Sequence, residues 1–163
     1  MKARQALAIL GVCLFLFCAF YVGMVLSTPA HLTETDISNL TDKWIDAVTV
    51  SHSPERIYSM FCHDGNLVGT VSQIERKGLD IQYYFDYFAR LPGIKVVSKT
   101  YDISKVTPDV FINTAFITWK WDGLEKPITA RMTFLFRNSC IFQLHSSKLP
   151  LMNEGLVNAS AKA

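Results

Sequence analysis

Pro127-Ile128-Thr129-Ala130-Arg131-Met132-Thr133-Phe134-Leu135-Phe136-Arg137, then Asn138-Ser139, then Cys140-Ile141-Phe142-Gln143-Leu144-His145-Ser146-Ser147-Lys148-Leu149 is the stretch that decides the fold. Both flanks are rich in β-branched and aromatic residues and meet at two turn formers, the pattern of an antiparallel hairpin. If Asn138-Ser139 is a two-residue turn, Arg137 faces Cys140 and, deeper in the hairpin, Arg131 faces Ser146. Alternation then puts Thr133 and Leu144 on that same face, and Met132, His145 and Ser147 on the other. An arginine in mid-strand cannot be left dry and unpaired. If its face is covered, it should hold an anion, a carboxylate or a polar pocket. The plainer alternative is a stabilising pair with Asp80, Asp86 or Glu55.

Working outward, residues 94–104 and 110–121 share this composition and are punctuated by Thr107-Pro108-Asp109 and Asp122-Gly123. With 127–137 and 140–149 they make four successive antiparallel strands. Before Leu91-Pro92-Gly93 the period changes from 2 to 3.6. Leu79, Ile81, Tyr84, Phe85, Phe88 and Leu91 place a helix over residues 79–91, and residues 67–71 read as a short strand. Ser53-Pro54-Glu55 is a cap, a first-turn proline and an early acid, so a short helix should run from Pro54 to about Cys62 and end at His63-Asp64-Gly65-Asn66. Ile37, Leu40, Trp44, Ile45 and Val48 recur at helical spacing behind Thr33 or Thr35 as cap, giving a first helix over 33–50. Helices followed by a strand meander indicate an α+β domain.

At the N-terminus, residues 6–26 contain no charge and follow Lys2 and Arg4. That is a signal peptide or a membrane anchor. Its length favours the anchor, whereas Val25-Leu26-Ser27 and Thr28-Pro29-Ala30 offer cleavage sites. The expected organisation is this segment over 1–30, one domain over 31–150 and a loose tail over 151–163. The domain would lie outside the cytoplasm (periplasmic, luminal or secreted), held at the membrane if the segment is uncleaved. Of 16 Lys and Arg against 14 Asp and Glu, two precede the apolar run, so the rest is neutral and nucleic acid is not an expected partner. Cys13 and Cys18 lie within the apolar run, leaving Cys62 and Cys140. One bridge between them is possible; two small buried residues is the plainer reading. No CxxC or His spacing marks a metal site, and none is expected. Asn39-Leu40-Thr41 and Asn158-Ala159-Ser160 would be glycosylation sequons in a eukaryotic secretory pathway only.

His145-Ser146-Ser147 offers an imidazole for proton transfer beside two hydroxyls, without a third group at the spacing of a nucleophilic triad. Thr70 with Ser72, and Tyr83 with Tyr84, are positioned to add hydroxyls. Their bland reading is a half-buried strand and a helix whose tyrosines pack with their hydroxyls in water. Trp44, Trp119 and Trp121 read as core or sheet surface.

Taken in order, Leu67-Val68-Gly69-Thr70-Val71-Ser72, Arg76, Ile81-x-x-Tyr84-Phe85-x-x-Phe88, the strand from Ile128 to Phe134, and His145-Ser146-Ser147-x-Leu149-Pro150 resemble the nuclear transport factor 2-like (SnoaL-like) group. Within it the pattern is similar to the calcium/calmodulin-dependent protein kinase association domains and the iota-class carbonic anhydrases. The resemblance spans residues 33–150. It implies a cone-like α+β fold with three helices on a strongly bent antiparallel sheet, an intervening cavity, and a homodimer or larger ring. It also implies reversible hydration of carbon dioxide without metal or other cofactor. Thr70, Tyr84, His145 and Ser146 would be catalytic, with Arg131, Ser147 and Tyr83 binding the substrate or an anion such as bicarbonate. The sequence departs from the group at Gln143 and Leu144, where a histidine run is usual. The alternative is a non-catalytic assembly or small-ligand-binding module of the same fold; an isomerase or cyclase ranks last because no buried Asp/His base pair is evident.

Overall fold

The computed structural model describes residues 32–70, 72 and 74–149. The expected membrane or signal segment, the second sequon and the tail lie outside these residues. Helix α1 (Glu34–Thr49) begins at a reciprocal cap, in which the Asp36 amide donates to Thr33 Oγ1 at 3.2 Å and the Thr33 amide to the Asp36 carboxylate at 2.8 Å. Helix α2 (Pro54–Ser59) follows its Ser53 cap and first-turn proline. Helix α3 (Leu79–Phe88) has no side-chain cap, and the positive φ of Gly78 turns the chain into it. It stops three residues before the expected Leu91.

The strands are β1 (Phe61–Val68), β2 (Glu75–Lys77), β3 (Lys95–Thr107), β4 (Val110–Lys120), β5 (Ile128–Arg137) and β6 (Cys140–Lys148). They form one sheet in the order β2-β1-β6-β5-β4-β3. The sheet is mixed rather than antiparallel, because β1 runs parallel to β6 while all other neighbours are antiparallel. One local expectation is corrected here. His63-Asp64-Gly65-Asn66 is strand, not turn: Gly65 is buried where a Cβ would stand 2.8 Å from the Ile141 carbonyl oxygen, so this glycine serves close strand approach. β2 is three polar residues on an edge and carries no alternation to find.

The inner face of β4, β5 and β6 packs on α1 and α3. Trp44, Phe85, Phe111, Phe134, Phe136 and Leu144 are essentially inaccessible, and Trp44 meets Phe85, Trp119 and Phe134 edge to face at 5.2–6.3 Å. One polar pair sits within this core. Asn113 Nδ2 donates to Thr41 Oγ1 at 2.8 Å, and Thr41 donates to the Ile37 carbonyl at 2.9 Å.

The hairpin that opened the sequence reading keeps its turn, with Asn138 and Ser139 at φ 48° and 69°. It does not keep its register. Phe136 faces Ile141 but Leu135 faces Gln143, so Phe142 is an extra residue and every later pair is shifted by one. Arg131 therefore faces Ser147, and Met132 faces Ser146. Cys62 and Cys140 form a disulfide, which corrects the reading of two separate buried thiols; their Cα atoms are 5.1 Å apart.

Candidate functional site

A cavity of about 360 Å³ opens between α1, α3 and the inner face of the sheet. Its wall is mostly apolar and aromatic: Trp44, Phe85, Phe88, Trp119 and Trp121, with Leu91, Ile128, Ala130 and Met132. Polar atoms gather where the end of β1 meets β6. Thr70 Oγ1 and Ser146 Oγ are 2.6 Å apart in a hydroxyl–hydroxyl bond, and Tyr84 lines the cavity beside them.

Each member has a local cause. Ser146 is buried because the Phe142 bulge turns Leu144, Ser146 and Lys148 inward. Thr70 lies just past β1, which is fixed by its pairing of Leu67 with Leu144 and Val68 with His145. Tyr84 reaches the strand end because Gly69 has no side chain; a Cβ there would stand 2.5 Å from Tyr84 Cζ. The Arg76 guanidinium covers the Tyr84 ring at 4.9 Å. Burial pushes the Tyr84 phenol above its ordinary pKa, with Thr70 and the Arg76 charge pulling the other way. The phenol is therefore protonated at neutral pH and serves as a donor. One of the paired hydroxyls also keeps a free O–H, so this end of the cavity presents two donors to an acceptor atom. Lys148 follows Ser146 on the same face about 7 Å along the strand and stands at the rim.

The structure brings together Thr70, Tyr84 and Ser146 and leaves the other sequence candidates elsewhere. His145 and Arg131 are exposed, because the shifted register and the alternation put them on the opposite face from Ser146. Arg131 neither points into a pocket nor pairs with Asp80, Asp86 or Glu55; its guanidinium lies 5.7 Å from the centre of the Phe116 ring. Ser147 is opposite Arg131 on that outer side. Tyr83 is 67% exposed on the solvent side of α3. What the sequence reading missed is the aromatic wall, since Trp119, Trp121 and Phe88 are indistinguishable from core until the cavity exists. Among the described residues no group of three or more His, Cys, Asp or Glu side chains is gathered to hold a metal, and no helix is long and apolar enough to cross a membrane.

No family model matches the chain, and no curated protein does. Solved structures do. A candidate calcium/calmodulin dependent protein kinase II association domain from Xanthomonas campestris is 25% identical, with a TM-score of 0.63 over 75% of this chain and 91% of that one. An NTF2-like protein of unknown function from Pseudomonas putida is 14% identical, with a TM-score of 0.62 over 74% and 89%. A candidate dehydratase of the NTF2-like family from Streptomyces avermitilis is 13% identical, with a TM-score of 0.63 over 72% and 96%. The last two show the fold alone, and together with the order of helices and strands they give the conclusion: this chain has the nuclear transport factor 2-like, or cystatin-like, α+β fold and is related in structure to an association domain.

Proposed function

We propose that the domain is a small-ligand-binding module whose cavity takes a compact aromatic molecule with one hydrogen-bond-accepting oxygen. The observation that carries this reading is the separation of chemistry within the cavity: one aromatic and aliphatic wall, and one end where Thr70, Ser146 and Tyr84 converge. Pockets of this size usually bind by apolar contact and use a few placed polar groups for orientation. Two donors from hydroxyls suit a carbonyl, ether or phenol oxygen.

The carbon dioxide hydration reading is kept as the second, because Thr70, Tyr84 and Ser146 are three of the residues it needs and they do converge. It is the weaker one. Among the described residues the ionisable groups lining the cavity are Tyr84, Tyr87 and Lys148, with no carboxylate or imidazole to take a proton from water. The exposed faces of His145 and Arg131 remove the imidazole and the guanidinium from that chemistry.

Assembly as a homodimer or ring belongs to this proposal, drawn from the association domain of similar structure. So does an extracytoplasmic location, supported by the Cys62–Cys140 disulfide, since such bonds persist in oxidising compartments. Light scattering of the purified protein reads the assembly. Tryptophan fluorescence during titration with acetophenone, an aryl ketone, tests the cavity: a saturable change is expected from Trp119 and Trp121. Stopped-flow hydration of carbon dioxide by the same sample decides the alternative. Turnover abolished by Ser146→Ala, with no acetophenone response, would replace the first reading by the second.

A further inference from the structure

The cavity face of β6 depends on one residue that belongs to neither adjoining ladder. Toward β5, Phe136 faces Ile141 and Leu135 faces Gln143; toward β1, Phe61 faces Ile141 and Asn66 faces Gln143. Phe142 is skipped on both sides. Were it taken into the ladder, the strand beyond would turn over. Gln143, His145 and Ser147 would then line the cavity, and Leu144 and Ser146 would face out.

Contacts from β1 and β5 converge on this bulge. The Cys62–Cys140 disulfide joins β1 to β6 two residues before Phe142. Between Phe61 and Asn66 the two strands have no register pairs, so the disulfide is the covalent tie across a gap in their ladder. Gly65 brings the β1 backbone against the Ile141 carbonyl. On the β5 side the Arg137 guanidinium stacks 4.2 Å from the centre of the Phe142 ring and forms an ion pair with Asp64.

We infer that the Cys62–Cys140 disulfide is a positioning device: it holds the Phe142 bulge in place and so selects Leu144, Ser146 and Lys148 as the cavity side of β6. The inference holds whatever the cavity binds. Reduction takes two electrons and two protons from an external dithiol, which leaves as its own disulfide while Cys62 and Cys140 become thiols. Without the tie, β6 samples the unbulged register, and the cavity no longer presents a single set of side chains.

The test is hydrogen exchange with mass-spectrometric mapping on the full chain, together with carbethoxylation of His145. In the oxidised chain the expected result is protected β6 amides and a freely reacting His145, which is exposed. After dithiothreitol, or in a Cys62→Ser/Cys140→Ser chain, the expected result is loss of protection over residues 143–147 and partial loss of His145 reactivity, with β3 and β4 unchanged. Deleting Phe142 from the double variant removes the extra residue, so the inward alternation of Leu144 and Ser146 follows without a clamp. Protection and His145 reactivity should both return. Reduced protein identical to oxidised protein would overturn the inference, and so would a double variant that deletion of Phe142 fails to restore, whether it had slipped or unfolded.

Discussion

Strand β5 is read differently by its two neighbours. Against β4 it keeps an unbroken ladder from Val110 opposite Arg137 to Trp119 opposite Ile128. Against β6 it loses step at Phe142, and from there to Lys148 every side chain lies on the face opposite to the one the turn predicts. Both edges obey the same alternation. The difference teaches that a turn sets register only as far as the first bulge, and that here the bulge decides which residues meet the cavity.

Removing the clamp should produce the largest effect. Replacing Cys62 and Cys140 by alanine opens a cross-link spanning 78 residues of sequence and costs about 4 kcal/mol, read as a lower urea midpoint. An unchanged midpoint would mean that the two strands do not need the tie. Next, Leu144→Ala removes a side chain that the bulge buries completely and should cost about 3 kcal/mol. His145→Ala, on the exposed face, should stay within about 0.5 kcal/mol. Denaturation of this pair separates the registers, because the unbulged strand reverses their order. Gly65→Ala pushes a methyl group into the Ile141 carbonyl and is expected to cost about 2 kcal/mol. Thr70→Val breaks the Thr70–Ser146 bond and should cost about 1 kcal/mol in thermal unfolding.

The smallest effect concerns pH. The hydrogen bond from Arg137 holds the Asp64 carboxyl below its ordinary value of 3.8, opposed by desolvation. A depressed carboxylate contributes stability that is present above the unfolded pKa and lost as pH falls through the folded one. Asp64→Asn should therefore lower stability slightly at neutral pH, since the pair is exposed, and flatten the acid limb so that the two chains converge below about pH 4. A difference that persists in acid, where the Asp64 carboxyl is protonated, would point to a structural role for Asp64 beyond its charge.

Much of the fold was legible because local chemistry and tertiary outcome agree. Thr33 with Asp36, and Ser53 with Pro54, start helices where they stand, and the change of period at Gly93 separates helices from meander. Asn138 and Ser139 both take the positive φ that a two-residue hairpin turn needs. What stayed hidden depends on residues far apart in sequence. The parallel pairing of β1 with β6 and the match of Gly65 to the Ile141 carbonyl have no local signature, and neither does the bulge. The site divides the same way. Thr70, Tyr84 and Ser146 were nominated by resemblance and do converge, while His145 and Ser147 were displaced by the one-residue shift and Arg131 by the alternation of β5, whose even-numbered residues face inward. The aromatic wall was invisible because a tryptophan lining a cavity and one filling a core look alike in sequence.

The most direct test of this account is calorimetric titration of acetophenone into the native protein, Ser146→Ala and His145→Ala. The account predicts saturable binding to the native chain, weakened roughly five- to tenfold by loss of the Ser146 hydroxyl and unchanged by loss of the His145 imidazole. Binding that ignores Ser146 and depends on His145 would contradict it, and would place the other face of β6 in the cavity.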